Sequence, residues 1–168
     1  MPRGQIGSLA YLVEETTTTE GGGEGRLLAL IGDQGGELTV LDTRQGERPA
    51  HAAVLHPGGV LSGIRPMPGT PYVATCGADK RVLVLDARQG FTPVHELRNH
   101  TNFIYSLEVF GSMVLSGAGN GWLLVHDALT GDCCYGLGAN TAAVRVIFAS
   151  PTLMVAGGDD GKATVYDY

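Results

Sequence analysis

Residues 75–86 read TCGADKRVLVLD, and the same pattern is written four times in this 168-residue chain. The other copies are residues 31–42 (IGDQGGELTVLD), 116–127 (SGAGNGWLLVHD) and 156–167 (AGGDDGKATVYD). Their closing residues, Asp42, Asp86, Asp127 and Asp167, lie 44, 41 and 40 positions apart. Each copy opens on a small or apolar residue and passes through a Gly/Asp/Asn-rich centre. Four or five mainly apolar or β-branched residues then follow. Runs of that length, bounded by turn residues, read as strands. Several, such as VLVL and WLLV, are apolar at successive positions, which suits strands covered on both faces.

The similarity extends beyond the twelve-residue core. VLDTRQG at 40–46 recurs as VLDARQG at 84–90, and LRNHTNFI at 97–104 sits 40 positions before LGANTAAV at 137–144. Short strands follow the latter pair, IYSLEV and VRVIFA, then a turn, then MVLSG and LMVAG. The repeating unit is therefore strand, turn, strand, tight turn, strand, turn, strand. Four units are expected, at about 1–50, 51–95, 96–136 and 137–168. The first carries a long polar Gly-rich loop at 15–25, read as solvated and mobile. The second carries a Pro-rich turn, RPMPGTP. Almost no helix is expected.

Composition narrows the classes. With 43% hydrophobic residues the chain has the material for a packed core, and 26 glycines without a Gly-X-Y period point to many tight turns rather than collagen. A net charge of −6 argues against general nucleic-acid binding, which calls for a basic face. No run approaches the roughly 20 apolar residues of a membrane helix, and the N-terminal apolar run is too short for a signal peptide. Three cysteines, Cys76, Cys133 and Cys134, are an odd count with two adjacent. They read as reduced thiols in a cytoplasmic or nuclear protein rather than as a disulfide framework. Asn99-His100-Thr101 matches a glycosylation triplet, which needs a secretory route to matter.

A period of 40–45 residues with four strands per unit resembles the WD-repeat family of β-propellers. At that family's Gly-His position stand Asn99-His100 and Ala139-Asn140, with Leu55-His56 nearby in the second unit. At its Trp-Asp position stand Leu41-Asp42, Leu85-Asp86, His126-Asp127 and Tyr166-Asp167, so the Asp is kept and the Trp is not. At its turn-Asp position stand Asp79 and Asp160, with Asn120 and Gly35 in the other units. The resemblance implies a structural role for these aspartates and for His100: a buried His joined to the turn Asp and to a Ser/Thr. No unit carries the full set with Trp. The fold expected is all-β, a partial propeller of about four four-stranded antiparallel blades, the last lacking its outer strand. The resemblance further implies that the ring is completed by blades upstream of this sequence.

The chemistry-bearing residues read mostly as structural. His126, Cys133 and Cys134 lack the C-x₂-C spacing that lets two thiolates grip one zinc. Ser116 in LSGAGNG is not a nucleophile elbow, GAGNGW leads into a strand rather than a phosphate-binding helix, and Asp159-Asp160-Gly161 reads as a hairpin turn. No metal, cofactor or catalytic residue is expected. Trp122, Asn120, Phe103, Asn102, Lys80, Arg81 and Lys162 fall on or near the rim where WD-repeat proteins hold partners, and are the candidate contacts. Trp122 also admits a core role between blades. The function expected is that of a non-catalytic scaffold for other proteins or peptides. The substrate-receptor arm of a ubiquitin ligase, of the F-box type, is one setting. The alternative is a propeller-based enzyme with its site in the central channel, where Glu108 and Arg145 are the charges on IYSLEV and VRVIFA.

Overall fold

The computed structural model describes residues 4–14, 25–46 and 48–167. The Gly-rich stretch at 15–25 lies, apart from Gly25, outside them. Among the described residues, fifteen strands form four antiparallel sheets in chain order. The first holds β1 (Ile6–Glu14), β2 (Arg26–Asp33), β3 (Glu37–Asp42) and β4 (Pro49–Val54). The second holds β5 (Leu61–Pro66), β6 (Tyr72–Gly77), β7 (Val82–Asp86) and β8 (Thr92–Leu97). The third holds β9 (Ile104–Phe110), β10 (Met113–Ala118), β11 (Trp122–Asp127) and β12 (Cys133–Gly138). The fourth holds β13 (Val144–Ala149), β14 (Leu153–Gly158) and β15 (Ala163–Asp167). One 3₁₀ turn, Ala87–Gln89, links β7 to β8.

Each twelve-residue repeat spans the end of a second strand, a tight turn and a third strand. The fourth strands run past the boundaries expected from the sequence. Pro49–Val54 pairs with β3, and His51, in the presumed second unit, sits opposite Val40. The first sheet thus ends at Val54, the second at Leu97 and the third at Gly138. The reason is that turn residues mark where a strand stops, whereas pairing, which the sequence does not display, decides which sheet it joins.

The sheets stack face to face, first strand against first strand: β1 on β5, β5 on β9, β9 on β13. Three apolar clusters fill the junctions. Leu30, Leu38 and Val40 meet Leu61, Ile64 and Leu85 between the first two sheets. Val82 and Val84 meet Ile104 and Leu107 at the second junction, and Leu123 and Val125 meet Val144 and Ile147 at the third. Each such residue contributes about 1.5–3 kcal/mol by leaving water. The stack does not close on itself, and the outward faces of the first and fourth sheets are exposed.

The closing aspartates have a local reason. An Asp side chain at the end of a strand can accept the backbone N–H two residues on, making an Asx turn. Asp42 accepts from Arg44, Asp86 from Arg88 and Asp127 from Leu129, at 2.7–3.0 Å. Asp42 also takes Arg26 Nε at 2.9 Å, and Asp86 takes Arg88 Nη2 at 2.9 Å. The backbone N–H of Arg44 is the first cause of a lowered Asp42 pKa, and the Arg88 guanidinium that of Asp86.

Candidate functional site

The tight turns between second and third strands share one edge of the stack with the loops that enter the next sheet. Leu55 and His56 donate to the Gly36 carbonyl, Ala139 and Asn140 donate to that of Gly121, and Gly119 donates to Phe103. Gly36 and Gly121 have φ of +76° and +82°, and a Cβ there would meet a backbone oxygen at 1.9 Å. Glycine is what allows this approach. In the second turn Lys80 takes the same position at φ +68°.

Beneath this edge lie buried polar networks. His56 is fully buried, with Nδ1 2.9 Å from Asp79 Oδ1 and Nε2 3.0 Å from Thr75 Oγ1. Asp79 also accepts the Arg81 backbone N–H at 3.2 Å and Arg81 Nε at 2.6 Å. Burial pushes the His56 pKa down, and the neighbouring carboxylate only partly opposes it. Burial would raise the Asp79 pKa, but the bonds from His56 and Arg81 outweigh it and hold it low. In the third sheet His100 Nε2 lies 2.8 Å from Ser116 Oγ, and burial followed by His126 drives its pKa down to about 4. In the fourth, Asn140 stands where His would be and donates to Asp160 Oδ1 at 2.9 Å. The Thr141 backbone N–H is the first cause of an Asp160 pKa of about 2. In the first, Asp33 replaces the missing turn Asp: its Oδ1 accepts from Gly35 and Glu37 at 2.9 Å.

The sequence placed His100 and Asp79 in such networks but left His56 unassigned. His56 lies 19 residues before Thr75, whereas His100 lies 16 before Ser116. Two of the three extra residues fall in the β5–β6 hairpin with its Pro-rich turn and one in the loop before β5, so both have to be allowed for to recover the register.

Every first strand carries a bulge at its start. Gly7, Ser62, Tyr105 and Arg145 are each skipped in the pairing with the second strand. A bulge re-aims its side chain, and in the last two sheets it brings two of them together. The Arg145 guanidinium lies 4.0 Å over the Tyr105 ring, and Phe103 stacks on the other aromatic at 4.6 Å between centroids. Asp159 grips Arg145 by three bonds of 2.6–2.9 Å, which raises the arginine's pKa. Gly119 lies against Asn102 and Tyr105, and Asn120 Nδ2 donates to Thr101 Oγ1 at 3.2 Å. Period-2 patterning cannot reveal a bulge, so Tyr105 escaped the sequence reading.

Of the expected contacts, Asn102, Phe103 and Asn120 gather here. Trp122 begins β11 and is 48% exposed beside Gly136, rather than sealed between sheets. Lys80 and Lys162 are exposed on neighbouring turns. Arg81 is engaged: beyond Asp79 it reaches Glu96 Oε1 at 2.5 Å and the Leu55 carbonyl at 2.9 Å.

Along the first strands, Glu108 lies 3.5 Å from Arg65, while Arg145 is held at the edge by Asp159. Burial lowers the His126 pKa, and its Nε2 lies 3.1 Å from Asn99 Oδ1, while Cys133 and Cys134 are exposed. Among the described residues no three His, Cys, Asp or Glu side chains are placed to hold a metal ion, and no helix is long and apolar enough to cross a membrane. A cavity of about 900 Å³ opens between β1 and the Pro-rich turn, lined by Tyr11, Leu12, Val13, Met67, Pro68 and Arg88 among others.

No family model and no curated protein matches this chain. Solved structures do. The computationally designed Ika4 protein superposes with a TM-score of 0.80 at 20% identity, over 98% of this chain and 92% of Ika4. The computationally designed Ika8 protein superposes with a TM-score of 0.79 at 20% identity, over 97% of this chain; the chain spans 46% of the length of Ika8. At that identity the likeness is one of fold.

Proposed function

We propose that the chain is an arc of a β-propeller of the WD-repeat type and works as a non-catalytic platform for another protein or peptide. Four antiparallel sheets stacked by their first strands support the arc. The WD-type reading is supported by His56, held between Thr75 and Asp79 as the family's buried His is held.

The observation that carries the binding role is the cluster of Asn102, Phe103, Tyr105, Asn120 and Arg145. Two bulges aim it outward, and stacking and the Asp159 pair fix it in place. A rigid aromatic surface loses little entropy when a partner lands on it. Asp159 neutralises Arg145, so the partner needs no countercharge. An extended segment that lays an apolar or aromatic side chain on Tyr105 and offers its backbone to Asn102 and Asn120 fits best. A non-catalytic role is favoured because His56, His100 and His126 are buried with lowered pKa, and Arg65, Glu108 and Arg145 on the first strands are paired. Selection from a displayed peptide library against the chain tests this. Enriched peptides should lose at least about tenfold in affinity with Tyr105→Ala and keep it with Arg98→Ala, which lies off the cluster. Enrichment that ignores Tyr105→Ala, or no enrichment, overturns the reading.

A further inference from the structure

The positions buried at the interior junctions recur at the two ends of the stack, where they face solvent. Ile6, Leu61, Ile104 and Val144 are one position, the residue before the first-strand bulge, opposite Asp33, Gly77, Ala118 and Gly158. Leu61, Ile104 and Val144 are fully buried, whereas Ile6 is 59% exposed. Leu9, Ile64, Leu107 and Ile147 are a second position, and only Leu9, at 51%, is exposed. On the opposite face, Val40, Val84 and Val125 are buried against the next sheet, while their counterpart Val165 is 57% exposed. Phe148 and Val146 are exposed beside it.

The two end faces are therefore the unmatched halves of one more junction of the same kind. In each interior junction the Val40-type residue of one sheet shares a cluster with the Leu9-type residue of the next: Val40 with Ile64, Val84 with Leu107, Val125 with Ile147. The first sheet offers Ile6 and Leu9, the fourth offers Val165, and within one chain they do not meet. Apolar faces of this extent are rarely left to water by a soluble protein. Ika4, of nearly the same length, carries this fold in one chain, and Ika8 contains it within a chain about twice as long.

We propose that two copies of this chain join head to tail, the outer face of each first sheet covering the outer face of the other's fourth sheet. Both open faces of both copies are then buried by one two-fold operation, and eight sheets close a ring, within the known range of about 4–8 blades. A head-to-tail contact that closes in this way stops growing, where one that fails to close makes filaments. The ring presents the Tyr105–Arg145 cluster twice, so a bivalent partner gains in avidity. The inference rests on the arc reading of the fold and is separate from what the rim binds. A failed peptide selection leaves it standing, and a monomer leaves the peptide reading standing.

Sedimentation velocity and light scattering on the whole chain test it. The expected mass is twice the 17.5 kDa of one chain. Leu9→Glu and Val165→Lys should each give the monomer mass with the strand signal in circular dichroism retained, since neither side chain supports an interior junction. Mixing the two variants should restore the dimer, because one junction then sets Glu against Lys and the other is unaltered. An isologous pairing of first sheets would leave Val165→Lys dimeric and overturn the proposal. So would a wild-type monomer whose open faces bind a hydrophobic dye, the state expected if upstream blades complete the ring. Open-ended larger oligomers, or variants that fail to recover on mixing, also overturn it.

Discussion

Replacing His56 by alanine should be among the most damaging single changes in the second sheet. The imidazole is fully buried and spans two partners, Asp79 at 2.9 Å and Thr75 at 3.0 Å. Losing two such bonds costs about 1 kcal/mol each, and Thr75, also fully buried, is left with a hydroxyl to desolvate at roughly 1–3 kcal/mol. The vacated ring volume adds a cavity term. Because these contributions overlap, the sum is about 3–5 kcal/mol. The effect should reach Arg81, whose hold on Leu55 and Glu96 is oriented by Asp79. Urea unfolding followed by Trp122 fluorescence and far-UV circular dichroism reads it as a fall in midpoint at unchanged slope. A double-mutant cycle with Thr75→Val should recover about 1 kcal/mol or more as coupling. A loss below about 1 kcal/mol, or a cycle with no coupling, would show that the network is not structural.

Other outcomes follow from the same geometry. His56, His100 and His126 all have pKa values lowered by burial, so the unfolded chain takes up protons first as pH falls. Stability should be constant above about pH 7 and decline from about pH 6.5 towards the His100 value of about 4, by up to about 3 kcal/mol for His100 alone; urea midpoints that stay flat across that window refute it. Lys80→Gly should stabilise by about 0.5–1 kcal/mol, because it relieves an L-residue at φ +68° where the other tight turns use glycine; a lower melting temperature counts against this. A disulfide reagent at pH 8 should label Cys133 and Cys134 promptly and spare Cys76, whose thiol burial pushes up to about 12. Three prompt thiols would mean that the β5–β6 region opens readily.

The positions of the strands and tight turns were legible in the chain before any pairing was known. The four twelve-residue repeats become four hairpins because glycine and a nearby Asp or Asn fix local backbone geometry, and Asp42, Asp86 and Asp127 cap the turns that follow their strands. That information is local, held within a few residues, and repetition makes it legible. The family resemblance also marked His100 as a buried network residue, and the structure supplies Ser116 as its partner. The rest depends on how the strands pair and the sheets pack. Pro49–Val54 belongs to the first sheet because it pairs there, and His56 reaches Asp79 across a span of 23 residues where Asn140 reaches Asp160 across 20. Arg81, expected as a rim contact, is committed to Asp79, Glu96 and the Leu55 carbonyl. Tyr105 and Arg145 meet because two bulges turn them towards each other from separate sheets. Equivalent apolar residues, Leu9 and Ile64 or Val125 and Val165, look alike in the chain, and only their place in the stack makes one core and the other surface. Burial is a property of what packs opposite, and no residue carries that in its own neighbourhood of the sequence.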